Sequence, residues 1–303
     1  MIAGWRQIFF DKGVGPLFLG PSLIMLIALL VGPFLCMVAV SFTDLSFAIP
    51  DRGGNFVGLD NYRKLIRNDP IFWQSFRTTL KFVAAAVSVE FLLGFGLALV
   101  LFHFIKRNRV LLTLILLPMM LAPVAVGLMW KLLLQGEFGM LTYYARQLGV
   151  LGAQTAPLSS YSLVLPAIIL IDVWEWTPFV ALVLLAGLLS LPREPYEAAI
   201  IDGAGPIRVF FDVTLPLLRP IIALVVLLRS IDAFKEFDKV FILTGGGPGL
   251  ATELLAIYTW RINFRHWDFG YGSVVAFMVY LMVLILCSLF YKAMGRRQEG
   301  KAR

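Results

Sequence analysis

Residues 16–42 read PLFLGPSLIMLIALLVGPFLCMVAVSF, a run without a charged side chain. A helix crosses the hydrocarbon core of a bilayer in roughly 20 apolar residues, so this run is long enough to span one. It is too long for the apolar region of a signal peptide and lacks a convincing cleavage site, so a retained first span is expected. Five more apolar runs follow at about 76–104, 110–134, 161–189, 215–243 and 270–294. They are continuous, not short and alternating, which excludes a membrane β-barrel. The whole chain is 59% hydrophobic and 15% charged, with a mean hydropathy of +0.85, against about 25% charged residues in soluble domains. The expected fold is all-α and polytopic: one membrane domain over residues 1–303, with six transmembrane helices. A helical connector at 190–214 joins spans four and five.

The net charge of +7 reports topology in such a chain, not nucleic-acid binding. Arg6, Lys12, the cluster Lys106, Arg107 and Arg109, then Arg193, Arg208, Arg219 and the basic tail fall on one side. Fewer basic residues, mixed with Asp, fall on the other. Both termini and the connector are therefore expected in the cytoplasm, with loops 43–75, 135–160 and 244–269 facing outward. Cys36 and Cys287 lie in apolar spans and read as small hydrophobes. His103 and His266 are far apart, so neither a metal site nor a histidine-based catalytic pair is expected. No Gly-x-x-x-x-Gly-Lys-Ser/Thr phosphate cradle is present, so ATP hydrolysis by this chain through such a loop is not expected. No catalytic residue is assigned.

The connector holds the most specific pattern. It runs Glu197-Ala198-Ala199-Ile200-Ile201-Asp202-Gly203-Ala204-Gly205, followed by Val213-Thr214-Leu215-Pro216. A short helix with small residues ends at a Gly-Ala-Gly-Pro turn and is followed by a second helical run. Ala198, Ala199 and Gly203 allow a partner to approach closely, while Glu197 and Asp202 offer polar registration. The alternative is an interfacial connector without a partner.

Span five carries charges, which are costly inside a bilayer and normally face protein or a wet cavity. Arg229, Asp232, Ala233 and Glu236 fall at i, i+3, i+4 and i+7, one face of a helix. Arg229 is expected to pair with Asp232 across a turn, leaving donors and acceptors directed into a cavity. A structural ion-pair network locking the bundle is the other reading. Span four offers Asp172, Trp174, Glu175 and Trp176 before Pro178 and Phe179. Aromatic rings stack on the C–H faces of sugars, and equally well anchor or pack. Glu90 and Lys131 are single charges in spans, for which a structural role is expected, including snorkelling for Lys131.

Glu-Ala-Ala, three residues, Gly203, nine residues and Val213-x-Leu215-Pro216 together resemble the signature of the membrane subunits of binding-protein-dependent ABC importers. Val213 stands where isoleucine is usual. Phe56-Val57-Gly58-Leu59-Asp60-Asn61-Tyr62, Leu243-Thr244-Gly245-Gly246-Gly247-Pro248 and Phe269-Gly270-Tyr271-Gly272 resemble the carbohydrate-uptake branch, and the first of these the maltose-type first permease. The resemblance implies a permease in a bacterial inner membrane, forming half of a heterodimeric pore with a second permease subunit. An extracytoplasmic solute-binding protein would deliver a sugar or polyol, trehalose among them, to the outward loops. The loop at 245–269 resembles the segment that reaches that protein, or forms an ordered cap. Two cytoplasmic ATPase subunits would hold the ATP and magnesium and receive Glu197, Ala198, Ala199, Asp202 and Gly203; this chain would bind no cofactor. By positional match the solute would meet Arg229, Asp232, Ala233, Glu236, Trp176 and Phe179, with Met120 and Val124 from span three. The residue types in span five differ from the mainly neutral polar ones of that relative.

Two rival functions are weighed. An ion-gradient-driven secondary transporter is motivated by Asp172, Asp232 and Glu236 within spans, and would take up solute without ATP. A scaffold or receptor docking through the connector would show no solute flux.

Overall fold

The computed structural model describes residues 14–104 and 109–299; Arg6, Lys12, Lys106, Arg107, Lys301 and Arg303 lie outside them. Among the described residues the chain is helical, with β-structure confined to two isolated antiparallel bridges. Five helical stretches are long and apolar enough to cross a membrane: Leu19–Ser41, Pro70–His103, Val164–Leu189, Pro206–Leu243 and Phe269–Phe290.

The third expected span differs. Instead of one helix over 110–134, the chain forms α4 (Arg109–Leu116), a 3-10 turn (Pro118–Met120) and α5 (Pro123–Leu133). Both prolines lack an N–H, and a proline pushes the residue before it out of helical geometry. Ala122 accordingly has φ −66° and ψ 134°.

The described residues divide into two compact units, 14–69 with 259–280 and 70–258 with 281–299. The first holds α1 (Val14–Ser41), α2 (Asp60–Asn68) and the start of the last helix, α13 (Phe269–Glu299). The Asn61 amide donates to the carbonyls of Ser41 (3.2 Å) and Thr43 (2.8 Å), capping groups that α1 leaves without partners. Tyr62 Oη lies 2.7 Å from Ser41 Oγ, so the Asp-Asn-Tyr segment ties the loop to the helix it follows. The hydroxyl of Tyr271 donates to Asp69. At Gly270 a Cβ would fall 2.2 Å from the Thr43 carbonyl oxygen, which is why the Phe-Gly-Tyr-Gly segment needs a glycine there.

The second unit carries two apolar cores built by α3 (Pro70–Phe104), α7 (Val164–Leu189) and α10 (Leu215–Phe234). One gathers Phe82, Ala86, Ile168, Ile171 and Ala233; the other gathers Ala98, Leu101, Leu184, Leu185 and Leu218. On α3 the buried positions 82, 86, 90, 94 and 98 repeat every four residues, one stripe of a helix. Glu90 sits in that stripe between the two cores. One turn on, Gly94 lets α3 press against α7: a Cβ there would meet Val180 Cγ1 at 2.7 Å.

Candidate functional site

At Glu90 the apolar stripe is interrupted by charge, and groups from three other segments converge on it. Arg229 of α10 donates from Nε (2.7 Å) and Nη2 (2.9 Å) to the two oxygens of Glu90, a bidentate pair. Its Nη2 also reaches Asp172 Oδ2 of α7 at 3.1 Å. The other oxygen of Asp172 accepts from Lys239 Nζ on α11 (Asp238–Leu243). Lys239 Nζ further lies 2.6 Å from Glu175 Oε2 and 3.3 Å from Glu236 Oε2. Glu90 and Asp172 are 0% exposed, and Arg229, Glu175 and Lys239 are 1% exposed. Such groups are rarely buried without partners, and here Asp172 is the shared acceptor between the two cations.

The helix break before α11 makes this convergence possible. On a continuous helix, ten residues at 100° each would leave Lys239 about 80° off the face of Arg229. Helix α10 ends at Phe234, and α11 begins at Asp238. The Glu236 carboxylate accepts the Lys239 amide hydrogen in the first turn of α11, at 3.3 Å. The ring of Trp176 completes the group, with Arg229 Cζ 4.7 Å and Lys239 Nζ 6.0 Å from its centroid. Phe179 stands edge-on to Trp176, centroids 6.0 Å apart.

Arg229, Glu236, Trp176 and Phe179 are therefore brought together. The expected Arg229–Asp232 pair is corrected: Asp232 pairs with Lys235 at 3.1 Å, both half-exposed, because the guanidinium is already taken by carboxylates on α3 and α7. Ala233 is buried in the apolar core. Met120 and Val124 are 72% and 43% exposed on the interrupted third stretch. The reading of Glu90 as a single charge missed its pairing with Arg229; its position one turn from Ala86 and Gly94 in an apolar stripe was the available signal. Lys131 does not snorkel freely but donates to the Ile242 carbonyl at 2.8 Å.

Above that contact lies a cavity of about 500 Å³, lined by Lys131, Gln135, Ser159 and Thr244 over Leu132 and Leu158. Residues 251–255, expected as outward loop, are buried. Thr252 Oγ1 donates to the Gly247 carbonyl at 2.7 Å, and the Leu255 amide donates to Thr79 Oγ1 at 2.9 Å. The glycine-rich turn is thus folded onto the bundle as an ordered plug.

The connector presents a different surface. Helix α8 (Glu194–Ile201) is closed by Gly203 at φ +71°. The Gly203 amide donates to the Ile200 carbonyl (3.0 Å) and the Ala204 amide to the Ala199 carbonyl (2.9 Å), a Schellman closure that favours glycine. After it come α9 (Pro206–Val209) and a π-helical turn (Phe210–Thr214) running into α10. Tyr196 Oη donates to Thr214 Oγ1 at 3.1 Å, fastening the ends of the elbow to each other. Glu197, Ala198, Asp202 and Gly203 are exposed. Beside them, Ile200 is 69%, Ile201 85% and Ile207 75% exposed.

Residues 90–300 match the family of binding-protein-dependent transport system inner membrane components. A probable ABC transporter permease of Sinorhizobium fredii is 36% identical, covering 88% of this chain and 85% of its own length. The trehalose/maltose transport system permease of Thermococcus litoralis is 34% identical, covering 94% and 95%. Among solved structures, a chain of the bacterial alginate ABC transporter, in complex with its alginate pentasaccharide-bound periplasmic protein, superposes with a TM-score of 0.78. It is 19% identical and covers 96% of this chain and 97% of that one, a likeness of fold. With a family match over most of its length, this chain belongs to the binding-protein-dependent transport system inner membrane components: it is a multi-pass membrane permease of that class.

Proposed function

We propose that this permease imports a sugar as one half of a heterodimeric pore, and that its elbow at 190–214 receives a cytoplasmic ATPase. The observation that carries the reading is the surface of that elbow. Ile200, Ile201 and Ile207 stand exposed beside Glu197, Ala198, Ala199, Asp202 and Gly203. An apolar patch with a polar border, on a segment stiffened by a Schellman closure and a cross-elbow hydrogen bond, suits a groove on a rigid partner. Closure of two ATPase subunits on ATP and magnesium would pull the elbow and rock the permease halves, an alternating-access cycle. The termini then lie in the cytoplasm with the elbow, and a solute-binding protein docks on the opposite face.

The sugar assignment is supported by the names of the relatives, trehalose and maltose among them, and by Trp176 and Phe179 standing edge to face beside buried polar groups. Trehalose is the first solute to test. In proteoliposomes containing the assembled complex, Gly203→Asp and Glu197→Lys should leave the subunits together and let ATP hydrolysis run without uptake, since coupling needs contacts that differ between two states. Uptake that stays fully coupled to hydrolysis in both variants overturns the assignment of the elbow.

A further inference from the structure

The charges around Arg229 satisfy one another, and this separates what they do from what the ring beside them does. Both oxygens of Glu90 and one of Asp172 take up donors of the guanidinium. Both oxygens of Asp172 are in turn used, since Lys239 binds the second. A guanidinium forms its hydrogen bonds in its own plane, so its flat face is left for an aromatic ring. That ring is Trp176, 4.7 Å from Arg229 Cζ to its centroid. Trp176 retains partial exposure while Arg229, Glu90 and Asp172 are buried. Phe179 holds the ring edge from one turn further along α7. The arrangement runs from a carboxylate on α3, through a guanidinium on α10, to an indole on α7.

We propose that Glu90 and Arg229 are positioning residues for solute recognition: Glu90 orients the guanidinium, the guanidinium fixes the rotamer of Trp176, and the free face of Trp176 stacks on a pyranose ring. The inference rests on the reading that Trp176 meets the solute. Arg229 then acts on the sugar through the indole and does not touch it. A planar fork is required for this, so lysine cannot replace it: an ammonium would keep the charge and lose both the bidentate pair and the stacking face.

Two measurements test this. In the first, the full chain carries 5-fluorotryptophan in lipid nanodiscs, and Trp176→Phe identifies the fluorine resonance of Trp176. Glu90→Gln and Arg229→Lys should each shift or broaden that resonance while those of the other tryptophans stay in place; a purely structural role would disturb several together or none. In the second, uptake of radiolabelled trehalose by the assembled complex should show KM raised about tenfold in either variant, the scale of a lost cation–π contact, with kcat within about twofold. Glu90→Asp, which keeps a carboxylate, should recover part of the loss. An unmoved Trp176 resonance in both Glu90→Gln and Arg229→Lys overturns the proposal, as does unchanged KM in both. If the resonance moves as expected but Trp176→Phe takes up trehalose and maltose with unaltered KM, the assignment of Trp176 to the solute falls and takes the proposal with it. The two failures are thereby told apart.

Discussion

Glu90 and Arg229, 139 residues apart in sequence, meet through two parallel hydrogen bonds of 2.7 and 2.9 Å, both buried in the middle of the bundle. Arg229→Met alone leaves Glu90 without its cation, and removing one partner of a buried pair costs about 3–5 kcal/mol. Adding Glu90→Met should recover most of that loss, because two apolar side chains of similar volume replace a buried pair at little net cost. The thermal midpoint of the purified chain in detergent checks this. A double variant as weak as the single one would mean that the pair is not what Arg229 contributes.

The seam between α3 and α7 depends on the missing side chain at Gly94. Gly94→Ala places a Cβ 2.7 Å from Val180 Cγ1 and 2.8 Å from Val180 Cβ, an overpacking expected to cost about 1–3 kcal/mol. Val180→Ala in the same chain removes the first of these contacts and should restore part of the stability. The two substitutions should therefore be non-additive in a double-mutant cycle.

On the elbow, Ile200→Asp and Ile201→Asp replace side chains that are 69% and 85% exposed. Stability should change by no more than about 0.5 kcal/mol, as for other surface positions. Retention of the ATPase on a tag carried by this chain should fall sharply. Retention at the level of the unsubstituted chain would place the docking surface elsewhere.

Gly270→Ala tests the first unit. The added Cβ would sit 2.2 Å from the Thr43 carbonyl oxygen, a backbone atom with little freedom to retreat. The hydrogen bonds from the Gly270 amide to Leu45 (2.8 Å) and from the Phe47 amide to Trp267 (2.9 Å) should open. Hydrogen exchange should show protection lost at those two amides while the α3–α7 seam keeps its own.

Apolar runs without charge were enough to find the long helices, because length and hydropathy are local properties of a sequence. The third stretch was misjudged as continuous because hydropathy does not register the missing N–H groups of Pro118 and Pro123, although both prolines were in view. Helical spacing placed Arg229, Asp232, Ala233 and Glu236 on one face, and the structure divides that face among three environments: a buried ion cluster, a half-exposed pair and an apolar core. Periodicity states which residues share a face, but not what stands opposite. Glu90 and Asp172 were 139 and 57 residues from the cation they share, beyond any local pattern. The Glu-Ala-Ala segment was the reverse case, since its Schellman closure is made within a few residues and is written in the Gly-Ala-Gly-Pro turn itself.

The interruption between Phe234 and Asp238 sets a strict length requirement on this bundle. One residue inserted there or removed would rotate α11 by about 100° and move it along its axis by about 1.5 Å, carrying Lys239 away from Asp172 and exposing three carboxylates to each other. Sequence drift can therefore change which residues occupy positions 235–237, but not how many there are.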